Sequence, residues 1–269
     1  MNDNLGDDLP FPPAIPAATL VLFRERDSGP PELLVVERST KMAFAGGATV
    51  FPGGRIDGDD HTVASCDSLV ITTQSLALDE AAARVAAIRE TLEESGIAIG
   101  FATQPPGDWI ETARQRLHAG DMFSQILTQT GQALMLDQLI PFARWRPNFR
   151  EARVFDTRFY IACAAPEAGE PIVDDTENIQ SFWASAAHLL TAADAGALWV
   201  IYPTRRNLER LALFADFAAA AAQAITIPVE IICPIVEERD GERYLCIPAD
   251  LGYPVTSEIM SAVARGFKI

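Results

Sequence analysis

Glu90, Glu93 and Glu94 crowd one short stretch, RETLEESGI, that runs into a glycine. Val85, Ile88 and Leu92 recur at i, i+3 and i+7, the spacing of a helix with one buried stripe. At 3.6 residues per turn the three glutamates fall on a different face, flanked by Ala83, Ala86 and Ala87. Asp79 is placed to cap this helix, Glu80 suits its positive N-terminal end, and Gly96 suits its C-terminal stop. Arg89 reaches Glu93 at i, i+4, yet one arginine does not neutralise three carboxylates. Most acidic clusters on helices are solvated faces. The other reading is a site for a hard divalent cation, since Mg²⁺ takes carboxylate oxygens and keeps waters for a phosphate-bearing substrate.

What separates the two lies upstream, in KMAFAGGATVFPGGRIDGDD. Val50 and Phe51 read as a short strand ended abruptly by Pro52-Gly53-Gly54, and a glycine pair lets backbone come close to a ligand or to the following helix. A glycine turn followed by an Arg-Glu helix with a Glu-Glu pair resembles the Nudix box of the Nudix hydrolase family, G-x5-E-x7-R-E-U-x-E-E-x-G-U with U aliphatic. The second half is present as Arg89-Glu90-Thr91-Leu92-Glu93-Glu94-Ser95-Gly96-Ile97, with Thr91 at an aliphatic position. The first half departs. The motif glycine lies fifteen positions before the Arg-Glu glutamate, whereas here 90 − 54 = 36, so about twenty-one residues are inserted. Counting back from Arg89 across x7 gives Ala81 rather than Glu, and Asp79 or Glu80 is the expected stand-in. HTVASCDSLVITTQSLAL reads as the inserted excursion, and long loop insertions cost little stability. Insertion at this point is a feature of the Nudix branch that includes acyl-CoA diphosphatases.

The resemblance implies an α/β sandwich, a mixed sheet between helices, and metal-dependent hydrolysis of a nucleoside diphosphate joined to another group. It implies Mg²⁺, with Mn²⁺ as substitute, on Glu90, Glu93 and Glu94, with Arg89 as the orienting partner of a helix carboxylate. Gly53 and Gly54 let the loop pack tightly on the helix. A carboxylate in a later loop serves as general base in this family; Glu177 is the candidate, an ordinary loop acid being the competing reading. Arg38, Lys41 and Arg55 are the local cations for a phosphate substrate, although Lys41 also reads as an ordinary exposed lysine. LLVVERSTKMAFAGGATVFPGG and the strand Val154-Phe155-Asp156-Thr157-Arg158-Phe159 resemble segments of CoA and acyl-CoA diphosphatases. Arg153 and Arg158 are further phosphate candidates, while Phe155, Phe159 and Tyr160 read as core. The first expectation is hydrolysis of CoA or acyl-CoA to adenosine 3′,5′-bisphosphate and a phosphopantetheine product. The alternatives are a diphosphatase for ADP-ribose, dinucleotides or nucleotide sugars, and a non-catalytic ligand-binding or regulatory module.

Stepping outward, 269 residues at 49% hydrophobic content suffice for a full core. A formal net charge of −16 argues against general nucleic-acid binding. A phosphate-bearing small molecule must then be drawn by local cations and metal. No apolar run is long enough to span a membrane, and the N-terminus lacks the pattern of a signal peptide. Cys66, Cys163, Cys233 and Cys246 show no CxxC spacing, which with the preceding points gives a cytoplasmic expectation. The three histidines are dispersed and lend little support to a histidine metal site. A homodimer is a family-level expectation.

The elements that must position the glutamates read as strands at 17–24 and 32–38, a strand into Pro52, and a helix over about 80–95. Two helices follow between 107 and 130, then strands at 139–145, 153–164 and 179–185 and a helix near His188. Residues 203–225 read as one amphipathic helix, and Asp240-Gly241 marks a hairpin. The expected organisation is a core over 10–195, with an insertion at about 59–79 and a helical insert at about 107–130. A helix-and-hairpin extension over 196–269 packs on that core.

Overall fold

The computed structural model describes residues 14–42, 45–147, 154–165, 168–173 and 178–263. In chain order the elements begin with β1 (Ile15–Arg24), β2 (Glu32–Arg38), β3 (Thr49–Val50), β4 (Gly53–Arg55), α1 (Gly58–Ala64), β5 (Val70–Ile71) and α2 (Leu78–Ser95). They continue through α3 (Gly107–His118), α4 (Phe123–Thr130), β6 (Leu134–Met135), β7 (Ile140–Trp145), β8 (Phe155–Cys163), β9 (Asn178–Ala184) and α5 (Ala186–Asp194). The last are α6 (Tyr202–Leu211), α7 (Phe217–Thr226), β10 (Ile231–Ile232), β11 (Ile235–Arg239), β12 (Glu242–Cys246), β13 (Ser257–Ile259) and α8 (Met260–Val263).

The main sheet is mixed. Its order is β10-β7-β8-β1-β2-β3, with β4 also on β1 and β9 also on β2. β1 runs parallel to β8 and antiparallel to β2 and β4. Both faces are covered, so β1 is apolar almost throughout rather than alternating with polar residues. Leu20 and Leu22 pack with Val85, Ile88 and Leu92 of α2 on one face. Val21 and Phe23 pack with Tyr202, Leu208 and Ala220 of the C-terminal helices on the other. The result is a layered α/β/α arrangement. The C-terminal extension shares this second core and adds β10 to the edge of the main sheet through β7.

Several local readings change. Asp79 does not cap α2: the N-cap is Ala77, and the exposed Asp79 carboxylate lies 3.3 Å from His61 instead. Gly96 ends the helix in the left-handed region at φ 71°, donating to the Leu92 carbonyl. The helix read over 203–225 is two helices. Asp216 takes an extended backbone and accepts from the Ala219 N–H at 2.7 Å, starting a second helix where a single one would have continued. Asp240 and Gly241 both have positive φ and join Arg239 to Glu242 across a two-residue hairpin turn. Among the described residues no helix is long and apolar enough to cross a membrane.

Candidate active site

β1 is the platform. Gly53 and Gly54 pair with Thr19 and Ala18 of β1, which sets the glycine turn over the C-terminal part of α2, beside Glu90 and Glu94. Glu94, almost fully buried, accepts from the Gly53 N–H at 2.9 Å and from the Asn178 side-chain amide at 3.3 Å. Each glycine is required for a different reason. A Cβ on Gly53 would come within 2.5 Å of the Ala18 carbonyl oxygen, whereas one on Gly54 would lie 2.3 Å from a Glu90 carboxylate oxygen. Backbone cannot yield; a side-chain end can. Gly53→Ala is therefore expected to destabilise the fold by about 2 kcal/mol or more, in the range of overpacked sites. Gly54→Ala is expected to keep most of the stability and lose at least about tenfold in activity by displacing Glu90, since small displacements at reacting geometry are costly. Urea unfolding beside a turnover assay separates the two; equal loss of stability would refute the distinction.

Arg89 is the hub. Its Nε and Nη2 reach the two carboxylate oxygens of Asp60 at 2.9 and 3.0 Å, and Nη2 also donates to the Arg55 carbonyl at 3.1 Å. Its Nη1 donates to Glu90 at 2.9 Å and lies 3.5 Å from Glu93. Asp60 has no solvent exposure and also accepts from the Asp57 N–H at 2.9 Å. This corrects the sequence expectation. Neither Asp79 nor Glu80 stands in for the first-half glutamate: Glu80 is engaged by Arg84, Tyr160 and Arg158. Counted forward from the glycine, 60 − 54 = 6 is the G-x5-E position, filled by aspartate. The excursion thus follows Asp60, where 89 − 60 = 29 replaces the motif's 8 and leaves twenty-one inserted residues. Counting backward from Arg89 hid this; counting forward from Gly54 was the available signal.

The electrostatics are unbalanced. Burial works against the Arg89 charge, but Glu90 and Asp60 outweigh it and raise its pKa. Burial also raises the Asp60 carboxyl, with Arg89 opposing. Glu90 is raised by burial and further by Glu93, and Glu94 by burial and further by Glu90. The helix face therefore holds more negative charge than Arg89 offsets, which a bound cation would relieve. Among the described residues no three His, Cys, Asp or Glu side chains already form a closed metal cage. Mg²⁺ needs none: it binds through one or two carboxylates plus waters and phosphate oxygens, and the donor set Glu90, Glu93 and Glu94 fits that habit.

These carboxylates open into a cavity of about 760 Å³, within the usual size range of small-ligand pockets. Arg38, Gly53, Gly54, Arg55, Arg89, Glu90, Glu93 and Glu94 all line it. The buried Arg38 Nε has no hydrogen-bond partner among the described residues, so this guanidinium has capacity for a further acceptor. Lys41 is exposed and absent from the lining. Arg158 is turned away, 3.5 Å from Glu80. Glu177 and Arg153 lie outside the described residues. Sequence reasoning did not place several other lining residues at the site. His118, from a helical insert read as lacking chemistry, reaches the lining. Phe155, read as core, is half-buried and lines the cavity; Phe159 belongs to the second core as expected and also reaches the lining, because β8 turns alternate side chains to the cavity while Tyr160 points to the other face and donates to Glu80. Ile201 and Pro203 come from the C-terminal extension.

The chain is similar to known proteins in the same sense. Against the acyl-coenzyme A diphosphatase NUDT19 of Xenopus laevis it is 27% identical over 231 residues, covering 68% of this chain and 60% of that protein. Against the Gallus gallus protein of the same name it is 24% identical over 234 residues, covering 69% and 62%. A solved Nudix hydrolase from Alicyclobacillus acidocaldarius superposes with a TM-score of 0.68 at 28% identity, covering 78% of this chain and 96% of that one. The chain is thus similar in sequence and in fold to Nudix hydrolases. No family model matches it. The chain spans about three fifths of the length of the two NUDT19 relatives. The second half of the segment that resembles the Nudix box lies on α2, and the first half is split between the β4 turn and α1.

Proposed function

We propose that this chain is a Nudix hydrolase, a divalent-cation-dependent diphosphatase acting on CoA or acyl-CoA and releasing adenosine 3′,5′-bisphosphate and a phosphopantetheine product. The observation that carries the reading is the convergence of Glu90, Glu93 and Glu94 with Arg38 and Arg55 in the lining of a single cavity. The names of the two NUDT19 relatives support the choice of substrate.

Glu90, Glu93 and Glu94 would hold the cation. When bound it neutralises charge on diphosphate oxygens and lowers the pKa of a bound water. The chain's own groups do the rest. Arg38 and Arg55 bind phosphate oxygens, and Gly53 keeps Glu94 in place through its N–H. Arg89, locked by Asp60, orients Glu90. Water forms a new P–O bond to one phosphorus as the bridging P–O bond breaks, giving two phosphate monoesters. The attacking water gives up a proton to a carboxylate; Glu177 is the proposed acceptor.

A hydrolysis panel of CoA, an acyl-CoA, ADP-ribose, NADH, a nucleotide sugar and a diadenosine polyphosphate, with and without Mg²⁺ or Mn²⁺, tests this. Metal-dependent release of adenosine 3′,5′-bisphosphate from the CoA species, with the others slow, is the expected result. Preferred cleavage of another member would reassign the substrate. Metal binding without any turnover would leave a ligand-binding module.

A further inference from the structure

We infer that Ile201 and Pro203, where the C-terminal extension enters α6, form the wall that reads the apolar arm of the substrate and so set acyl-chain preference. The inference rests on the CoA reading above. The cavity lining is chemically mixed: the three glutamates and the arginines share it with Phe155 and Phe159 of β8 and with the apolar Ile201 and Pro203.

The extension is held there by an alternation. Val200 and Tyr202 are 7% and 4% exposed and point into the second core, which leaves the half-buried Ile201 and Pro203 on the cavity side. Two anchors fix the backbone between them. The Thr49 N–H donates to the Trp199 carbonyl at 2.7 Å, tying the extension to the strand that leads into the glycine turn. Tyr202 donates its hydroxyl to the Leu245 carbonyl at 3.2 Å and sets its ring edge-on to Trp145 at 6.1 Å. The wall and the catalytic turn are thus joined through one short strand. Ile201 and Pro203 side chains carry no hydrogen-bonding group, so these two gain by covering alkyl surface, whereas the neighbouring Thr204 brings a hydroxyl to the lining.

The test uses the full chain carrying Glu93→Gln, so that ligands are not consumed, with Mg²⁺ present. Calorimetric titration with acetyl-, butanoyl- and octanoyl-CoA measures the chain-length dependence of affinity. A fully buried methylene is worth about fourfold, so octanoyl-CoA is expected to bind at least about tenfold more tightly than acetyl-CoA. Adding Ile201→Asp is expected to bring that ratio to within about twofold. Ile201→Trp, which fills the space rather than charging it, is expected to penalise octanoyl-CoA selectively. Affinity that is flat with chain length, or a ratio that survives Ile201→Asp in a folded protein, would overturn the inference. Chain-dependent binding without hydrolysis by the unaltered protein would instead sink the diphosphatase reading and leave this wall standing. Hydrolysis of CoA species with no chain preference would do the reverse.

Discussion

Asp60→Ala is expected to destabilise the protein by about 3–5 kcal/mol, the cost of breaking a buried ion pair by removing one partner. Asp60 is fully buried and receives Arg89 through two hydrogen bonds, so its loss leaves a guanidinium in a site that is only 10% exposed. Activity should fall with it, because Arg89 is also the group that holds Glu90 at 2.9 Å. Removing both charges, as Asp60→Ala with Arg89→Met, should cost less than the sum of the two single changes, since neither member of the Asp60–Arg89 pair is left buried without the other. Activity should stay lost in the double variant. Urea unfolding with a turnover assay reads all three proteins. A single Asp60→Ala variant within about 1 kcal/mol of the parent would show that the pair does not anchor the motif.

The second large effect belongs to Glu93. Glu93→Gln keeps the shape of the side chain and removes one charge from the set of three. It is expected to lower kcat about a thousandfold, because cation-assisted stabilisation of the transition state is worth several kcal/mol and each 1.36 kcal/mol is tenfold. Its side chain is 25% exposed, so the fold should survive. The unaltered protein should melt at a higher temperature when Mg²⁺ is added, and the variant should lose much of that shift. Normal turnover in Glu93→Gln would remove this residue from the metal site.

Both expectations draw on the part of the protein that neighbouring residues encode. α2, its three-glutamate face, its left-handed stop at Gly96 and the glycine turn were legible because helix periodicity, end signals and φ preference depend on residues a few positions apart. The Asp240-Gly241 hairpin was legible for the same reason. The break between α6 and α7 was overlooked because alanine propensity outvoted the Asp216 cap, although both signals lie in the same stretch.

Tertiary structure decided what joins distant positions. Asp60 meets Arg89 across twenty-nine residues, and no local pattern marks which acid fills a buried site when an insertion lies between. The choice follows from the fold: α1 packs on α2 and shuts Asp60 away from water, so the Arg89 guanidinium and the Asp57 N–H satisfy it. Arg158, a phosphate candidate by sequence, is drawn to Glu80 because strand alternation aims it away from the cavity. The same alternation turns Phe155 and Phe159 into cavity wall. Ile201 reaches that wall from 201 − 54 = 147 residues beyond the glycine turn, brought there by burial of Val200 and Tyr202. The sequence by itself determined the carboxylate helix and its glutamate face, because those patterns are local. Which acid locks it, and which distant residues complete the cavity lining, were decided only when packing chose among contacts of equal local merit.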